Sequence, residues 1–211
     1  MSEALLSLSA QIAPAHAAVL VVDMQNDFCA AGGYIERVIK RDLAACQQVA
    51  KPVNELVAAA RATQVPVFWL RANYARDLIP EPMRAKLERQ NIAETCCAPG
   101  SWGADWFAVA PGPGETVIEK HCYSGFMGTD LNVRLKALGI RTLVFCGVQT
   151  QVCVESTLRD AHSLGYYCVV PEDCVASHTL PAHAATLASV KFLFGEVSTL
   201  AELKAIWGGR G

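Results

Sequence analysis

The chain has 211 residues, of which 52% are hydrophobic and 18% are charged. This length and composition predict a single globular domain over residues 1–211 and exclude an extended disordered protein. The 18 basic and 20 acidic side chains nearly balance, so we expect neither nucleic acid nor a membrane as a partner. The high apolar fraction predicts a homo-oligomer, a dimer or tetramer, that buries part of one face.

Nine cysteines are spread through the chain, and residues 1–16 lack the basic segment and long apolar run of a secretory signal. This predicts a reduced cytoplasmic protein with free thiols. No pair has the Cys-x-x-Cys spacing, and the adjacent Cys96 and Cys97 suit tetrahedral zinc poorly. We therefore expect no metal and no other cofactor.

Apolar, β-branched segments alternate along the chain with segments of helical periodicity. Such alternation is typical of right-handed βαβ crossovers, which build a parallel sheet covered by helices on both faces. The expected fold class is therefore α/β, with three αβα layers. In chain order the pattern predicts strands at 17–23, 67–70, 116–119, 142–148, 167–170 and 196–198, separated by helices at 42–62, 81–91, 131–138, 151–164 and 181–191.

Ligands of open α/β sheets gather at the carboxyl ends of the strands, and three reactive side chains fall there. Asp23 closes the first predicted strand, Lys120 follows the third, and Cys153 lies in the first turn of the helix after the fourth. The irregular stretch 73–114, rich in Pro, Arg and Trp, is expected to be the main specificity element.

Cys153 is a candidate nucleophile because of its position at a helix start. The unpaired amides and the positive dipole end of a helix stabilise a thiolate and lower the thiol pKa. The same amides can hold the oxyanion of a tetrahedral intermediate. A buried structural thiol is the alternative interpretation.

Asp23 is a candidate general base, which would accept the thiol proton and return it to a leaving amine. A helix cap or an ordinary ion-pair member is the alternative. Lys120 would favour both the thiolate and the ionised aspartate by Coulomb attraction, unless it is a surface lysine. No histidine lies between residues 17 and 120, and alternation turns His121 away from Lys120, so a papain-like Cys-His pair is not expected.

At these positions the sequence resembles the isochorismatase-like cysteine hydrolase family. Three motifs carry the resemblance, which spans roughly residues 17–200: VVDMQNDF at 21–28, EKHCYSGF at 119–126 and GVQTQVCVESTLRDA at 147–161.

The resemblance implies a Rossmann-like sandwich with a six-stranded, mostly parallel sheet. It also implies that Asp23, Lys120 and Cys153 form a catalytic set that works through a covalent intermediate on the thiol. A cis peptide between Val148 and Gln149 is a further implication. That bond would direct the Gln149 backbone amide, together with the amide of Cys153, at the oxyanion.

Departures from particular members narrow the expected reaction. Cys153 argues against the vinyl-ether hydrolysis of isochorismatases proper, which lack this cysteine. The segment WLRANYARD at 69–77 contains no histidine, which argues against the metal and the substrate of nicotinamidases. YSGF and CVESTLRD are most similar to ureidoacrylate amidohydrolases, and DFCAAGGY is similar to both those enzymes and biuret hydrolases.

The predicted function is a cysteine-dependent amidohydrolase that cleaves the C–N bond of a small ureido or carbamoyl compound, such as ureidoacrylate or biuret, and releases ammonia. One alternative is an amidase for another small amide or an N-carbamoyl amino acid on the same scaffold. A second alternative is a non-catalytic protein in which Cys153 is a sensor thiol.

The predicted substrate pocket rests on residues near the strand ends. Arg71 and Asn73 are candidates for binding polar groups, and Arg71 or Arg76 could bind a substrate carboxylate through paired hydrogen bonds. Ordinary packing is the alternative for each candidate. The proposed aromatic wall consists of Phe28, Tyr74, Trp102, Tyr123 and Phe126.

Overall fold

A computed structural model of the chain, which describes residues 3–209, contains one parallel sheet. The strands are β1 (Ala17–Val22), β2 (Val67–Ala72), β3 (Thr116–Lys120), β4 (Thr142–Val148), β5 (Tyr167–Pro171), β6 (Val175–Ala176) and β7 (Glu196–Ser198). Their order is β3-β2-β1-β4-β5-β7, and the two-residue β6 pairs with the end of β4. The six predicted strands are present, and β6 is an addition.

Helices cover the sheet on both faces, as expected. They are α1 (Leu8–Gln11), α2 (Asn26–Cys29), α3 (Tyr34–Arg37), α4 (Ala44–Gln48), α5 (Ala50–Ala62), α6 (Glu81–Arg89), α7 (Leu131–Ala137), α8 (Glu155–Ser163), α9 (Leu180–Ser189) and α10 (Leu200–Trp207). Short 3-10 turns occupy Trp102–Ala104 and Glu172–Cys174, and wider π-helical turns occupy Thr150–Val154 and Val190–Phe194. None of the helices in the described range has the length and apolarity needed to cross a bilayer.

The sequence interpretation differs from these helices in several places, and the short helices α1, α2 and α3 have no predicted counterpart. The helix expected at 42–62 is divided at Val49 into α4 and α5. The helix expected at 151–164 begins with the π-helical turn that contains Cys153. Helix α10 was not predicted, although Thr199 and Glu202 form a reciprocal capping box that the Thr-x-x-Glu spacing signals.

The sheet separates two apolar cores, which explains the continuous hydrophobic run of β1. Val19 and Val21 lie in one core with residues of α5 and α10. Leu20 and Val22 lie in the other core with residues of α7 and α8. Because neither face of β1 meets solvent, its sequence does not alternate between apolar and polar residues. The three-layer αβα sandwich expected from the sequence is confirmed.

The path of the chain through the sheet creates a crevice beside β1. From β1 the chain runs outward to β2 and β3, and it then returns to β4 on the other side of β1. At such a reversal the segments that follow the two central strands diverge and leave room for a ligand.

Residues 73–114 pack across this carboxyl edge of the sheet. Gln25 forms an isolated antiparallel bridge with Trp106. Its side-chain amide donates to the carbonyls of Ala72 and Ala104 at 3.0 and 3.1 Å. These hydrogen bonds connect residues 73–114 to the loop that follows β1.

Candidate active site

Asp23 is the first residue after β1, and its backbone turns there. Its φ of 50° lies in the left-handed region, which residues other than glycine seldom adopt. Its N–H still donates to the Leu70 carbonyl of β2 at 3.0 Å. The side chain is fully buried at the crevice, so a carboxylate there requires a partner.

Lys120 provides that partner from the end of β3. Its fully buried Nζ lies 2.9 Å from Oδ2 of Asp23. It also donates to Oη of Tyr74 at 3.0 Å and to the carbonyl of Cys122 at 3.2 Å. The ammonium thus donates two hydrogen bonds and forms an ion pair with Asp23, and the interpretation of Lys120 as a surface lysine is wrong.

Cys153 completes the cluster from the turn after β4. The side chain is buried, and its Sγ lies 3.4 Å from Oη of Tyr74. The charges of Asp23 and Lys120 act on the pKa of this thiol in opposite directions. The hydroxyl of Tyr74 therefore connects the ammonium of Lys120 with the thiol of Cys153. Its role includes these polar contacts in addition to the expected packing in an aromatic wall.

Burial is the largest influence on the pKa values of Cys153, Asp23 and Lys120. Burial, followed by the charge of Asp23, raises the pKa of Cys153 to about 12 against the opposing effect of Lys120. Burial also raises the pKa of Asp23, while Lys120 opposes the shift. For Lys120, burial alone lowers the pKa, but Asp23 and Cys153 outweigh it and raise the value.

The resting site therefore holds a protonated thiol beside a charged lysine. The expected lowering of the thiol pKa by a helix start is wrong for this state, because desolvation of the thiolate and the charge of the nearby carboxylate raise the pKa. Raising the pKa of Asp23 makes this carboxylate a stronger proton acceptor than an exposed one.

The peptide bond between Val148 and Gln149 is cis, as the resemblance implied. The Gln149 side chain is held on both sides. Its Oε1 accepts from the backbone N–H and from Nδ1 of His178 at 3.0 and 2.8 Å, and its Nε2 donates to Sγ of Cys46 at 3.4 Å. The oxyanion role of the Gln149 and Cys153 backbone amides remains a prediction.

A cavity of about 310 Å³ opens above Cys153. Near the thiol its walls are Phe28, Tyr34, Tyr74, Tyr123, Gln149 and His178, and its charged residues are Lys86 and Glu94, which are exposed at the rim. The rest of the lining is mostly aliphatic and consists of Ile35, Ile39, Ile79, Met83, Leu87 and Ile92, together with Gln90, Cys96 and Val152.

Three of the predicted pocket residues line this cavity. The rings of Phe28 and Tyr74 meet edge to face at 6.5 Å, and those of Tyr74 and Tyr123 do so at 6.4 Å. The aromatic wall expected near the thiol therefore exists in these three residues.

The other polar candidates face away from the cavity. Arg71 lies opposite Glu119 in the β2–β3 register and pairs with it at 2.8 Å. Asn73 donates to the same carboxylate at 3.0 Å, and Arg76 donates to the carbonyl of Ile92. Cross-strand neighbours of opposite charge attract each other. Glu119 therefore binds the side chains of Arg71 and Asn73, which were expected to bind substrate.

Two aromatic candidates also lie elsewhere. Phe126 stacks on Tyr166 at 6.1 Å in the core on the other face of the sheet. Trp102 is 53% exposed and does not line the cavity. Phe126 therefore belongs to the packing alternative, whereas Trp102 is an exposed residue outside the cavity.

Sequence reasoning missed Lys86 and His178 as cavity residues. Met83, Lys86 and Leu87 are three and four positions apart on α6, and a helix brings such residues to one face. That periodicity was a usable signal. His178 had none, because only the pairing of β6 with β4 brings it beside Gln149.

One group in the described range has the composition of a metal site. Ligand atoms of Asp27, Cys96 and Cys97 lie within 4.8 Å of one another. Both Asp27 oxygens, however, accept backbone N–H bonds, from Tyr34 at 3.0 Å and from Cys97 at 2.6 Å. Burial raises the pKa of both thiols, so these residues are suited to fixing the 73–114 segment and poorly suited to binding a cation.

The fold and the site define a Rossmann-like α/β protein with a buried carboxylate, ammonium and thiol at the floor of a cavity. The isochorismatase domain family matches residues 17–202, and the chain belongs to this family. Ureidoacrylate amidohydrolase RutB of Enterobacter sp. (strain 638) is 36% identical over 206 residues, which cover 90% of this chain and 88% of that protein. The expectation that the chain is an enzyme of the amidohydrolase class is thereby confirmed.

Solved structures agree with this assignment. A cysteine hydrolase from Pseudomonas syringae pv. phaseolicola 1448A has a TM-score of 0.82 and 28% identity, with full coverage of both chains. N-carbamoylsarcosine amidase from Thermoplasma acidophilum has a TM-score of 0.71 and 27% identity, and the match covers 88% of this chain and 96% of that one.

Proposed function

We propose that the chain hydrolyses the C–N bond of a small ureido, carbamoyl or amide compound, with Cys153 as the nucleophile and ammonia as a product. The chain of contacts at the floor of the cavity carries this proposal: the Cys153 thiol contacts Tyr74, Tyr74 accepts from Lys120, and Lys120 pairs with Asp23. A nucleophile, a base and a fixed positive charge within hydrogen-bonding reach are the parts that covalent acyl transfer requires.

The first half-reaction begins with a protonated thiol. Asp23 takes this proton as Sγ of Cys153 bonds to the carbonyl carbon, so a free thiolate need not accumulate. The backbone amides of Gln149 and Cys153 then stabilise the oxyanion. When the C–N bond breaks, Asp23 returns the proton to the departing nitrogen, which leaves as ammonia.

The second half-reaction regenerates the thiol. Asp23 takes a proton from water while the water oxygen bonds to the acyl carbon, and the C–S bond then breaks as Asp23 returns this proton to Sγ of Cys153. Lys120 remains charged throughout and keeps Asp23 ionised between the steps. A ureido substrate gives a carbamate, which decays to carbon dioxide and an amine.

The carbamoyl assignment is supported by the relatives. One similar protein is named a ureidoacrylate amidohydrolase, and one similar structure is an N-carbamoylsarcosine amidase. Another small amide or an N-carbamoyl amino acid remains the alternative substrate. A sensor thiol is disfavoured because a sensor needs neither the buried carboxylate of Asp23 nor the ammonium of Lys120 at the same strand ends.

Ammonia release tests the proposal. Purified protein and the Cys153→Ser variant would be offered ureidoacrylate, biuret, N-carbamoyl amino acids, nicotinamide and simple amides. We expect release that falls at least about a thousandfold in the variant. Turnover that survives in Cys153→Ala would refute the covalent route, and release from no member of the panel would count against the amide chemistry.

We also propose a homo-oligomer in a reducing compartment such as the cytoplasm. Phe192 and Leu193, adjacent in the turn after α9, are 81% and 61% exposed, and a second copy would cover such a surface. The reducing compartment is supported by the cysteines, because all nine lie within the described residues and are free thiols. Light scattering that gives a monomeric mass would contradict the oligomer.

A further inference from the structure

The two ends of the cavity above Cys153 differ in chemistry. The inner end presents the thiol, Tyr74, Gln149 and His178. The outer end is formed by aliphatic side chains from two separate parts of the chain, one around α3 and one around α6. A scissile carbonyl with its leaving nitrogen fills only the inner end.

The space that remains is substantial. At roughly 30 Å³ for each water molecule in the liquid, the cavity of about 310 Å³ has room for about ten waters. An amide group takes the place of only a few of them. The lining includes Ile35, Ile79, Met83 and Leu87, which offer water no hydrogen-bond partner in their side chains.

We propose that the substrate carries a neutral apolar group, a short alkyl chain or a ring, on the far side of its scissile amide or carbamoyl group. The proposal rests on the amide hydrolysis proposed above and specifies the substrate class. Apolar atoms of the substrate that leave water for this outer end gain the ordinary free energy of apolar burial.

A short acid fits this outer end poorly. The far end of ureidoacrylate is a carboxylate, which would lie among aliphatic side chains and lose solvation. Arg71 and Arg76 are engaged elsewhere. The charged lining residues, Lys86 and Glu94, carry opposite charges and are exposed at the rim. The cavity therefore favours a neutral far end.

Met83 and Leu87 make the outer wall adjustable. Both are half-buried and pack against the core from α6. The unbranched side chain of methionine adapts to irregular shapes. Such a wall would accept alkyl groups of several lengths, so the proposal predicts a gradual preference for longer substrates over one exact fit.

Straight-chain primary amides from two to six carbons test the inference. We expect kcat/KM to rise by up to about fourfold for each added methylene until the cavity is full. A neutral N-butylurea should be a better substrate than ureidoacrylate. A flat or falling series, with ureidoacrylate preferred, would overturn the inference while leaving the amide hydrolysis intact.

Two variants of α6 locate the effect. In Leu87→Asn the ratio of kcat/KM for hexanamide to that for acetamide should fall about tenfold. Glu88→Asn, an exposed neighbour outside the cavity lining, should keep the wild-type ratio. Equal ratios in the two variants would show that the preference arises elsewhere and would overturn the assignment to this cavity.

Binding provides a readout that needs no turnover. The same amides would be titrated into Cys153→Ala in a calorimeter. We expect affinity to increase with chain length, with a heat-capacity change that becomes more negative as more apolar surface is buried. Graded binding with no hydrolysis by the wild type would reject the proposed function but keep the inference. Affinity that is independent of chain length would overturn the inference.

Discussion

The floor of the cavity, formed by Asp23, Lys120 and Cys153, consists of buried reactive groups, whereas the wall formed by α6 is mainly aliphatic. At the floor, Asp23 and Lys120 are fully buried charges that have each other as partners. The wall formed by α6 presents the aliphatic side chains of Met83 and Leu87, with the exposed Lys86 at its rim. The residues of the floor lie at or just after the ends of strands, whereas α6 lies within the long connection 73–114 between β2 and β3.

This difference separates the reaction from the choice of substrate. A buried ion pair tolerates few changes, because the loss of one partner leaves an uncompensated charge. An aliphatic wall can exchange residues at modest cost provided that its volume is kept. Proteins with the same floor can therefore act on different amides, and the predictions below probe the two regions separately.

The largest effect is expected from Lys120→Met at the floor. This change leaves the Asp23 carboxylate buried without its partner, so we expect a loss of about 3–5 kcal/mol in the free energy of unfolding, together with loss of turnover. Urea unfolding and ammonia release would measure the two effects.

A double variant sharpens this test. In Asp23→Asn/Lys120→Met no buried charge is left alone, so its destabilisation should be smaller than the sum of the two single changes. Strict additivity would show that the 2.9 Å contact between the two side chains contributes no coupling.

The buried thiol should make the protein less stable at high pH. Because the folded state raises the pKa of Cys153 from 9.0 to about 12, only the unfolded state ionises this thiol between those values. The stabilising contribution is complete below pH 9, and it decreases by about 1.4 kcal/mol per pH unit as pH rises through this window.

Cys153→Ser provides the matched reference for that experiment, since serine does not titrate there. The other buried cysteines, such as Cys146, contribute equally to both proteins. The difference in the free energy of unfolding between wild type and variant should therefore change steadily from pH 9 upward. Parallel curves over this range would contradict the raised pKa.

Tyr74→Phe should have an intermediate effect. The hydroxyl is bonded to Nζ of Lys120 at 3.0 Å and lies 3.4 Å from the thiol, so its removal should lower kcat about tenfold. Tyr166→Phe is the matched control, because its hydroxyl donates to Asn132 at 2.8 Å, and Tyr166 belongs to the other core. An equal loss of kcat in both variants would indicate a general structural effect.

The smallest effect is expected at the rim. Lys86 is an exposed cation, so Lys86→Ala should raise KM for an N-carbamoyl amino acid by about two- to fivefold and leave KM for neutral butanamide nearly unchanged. Arg89→Ala, on the same helix but outside the lining, is the control. A larger increase in KM for the N-carbamoyl amino acid would show that Lys86 binds the substrate carboxylate directly.

The sequence by itself predicted the elements that depend on local periodicity. The order of strands and helices, the sandwich and the placement of Asp23, Lys120 and Cys153 at strand ends follow from apolar spacing and from three motifs. Parallel strands bring their carboxyl ends to one edge of a sheet, and that geometry is sufficient to collect these residues.

Only the tertiary structure decided which side chains line the cavity and how the thiol is protonated. Arg71 and Asn73 lie near the strand ends as expected, yet the β2–β3 register places Arg71 opposite Glu119, and Asn73 donates a hydrogen bond to the same carboxylate. Burial reverses the expected direction of the Cys153 pKa. Both outcomes depend on packing between segments far apart in the chain, which the local spacing of residues does not encode.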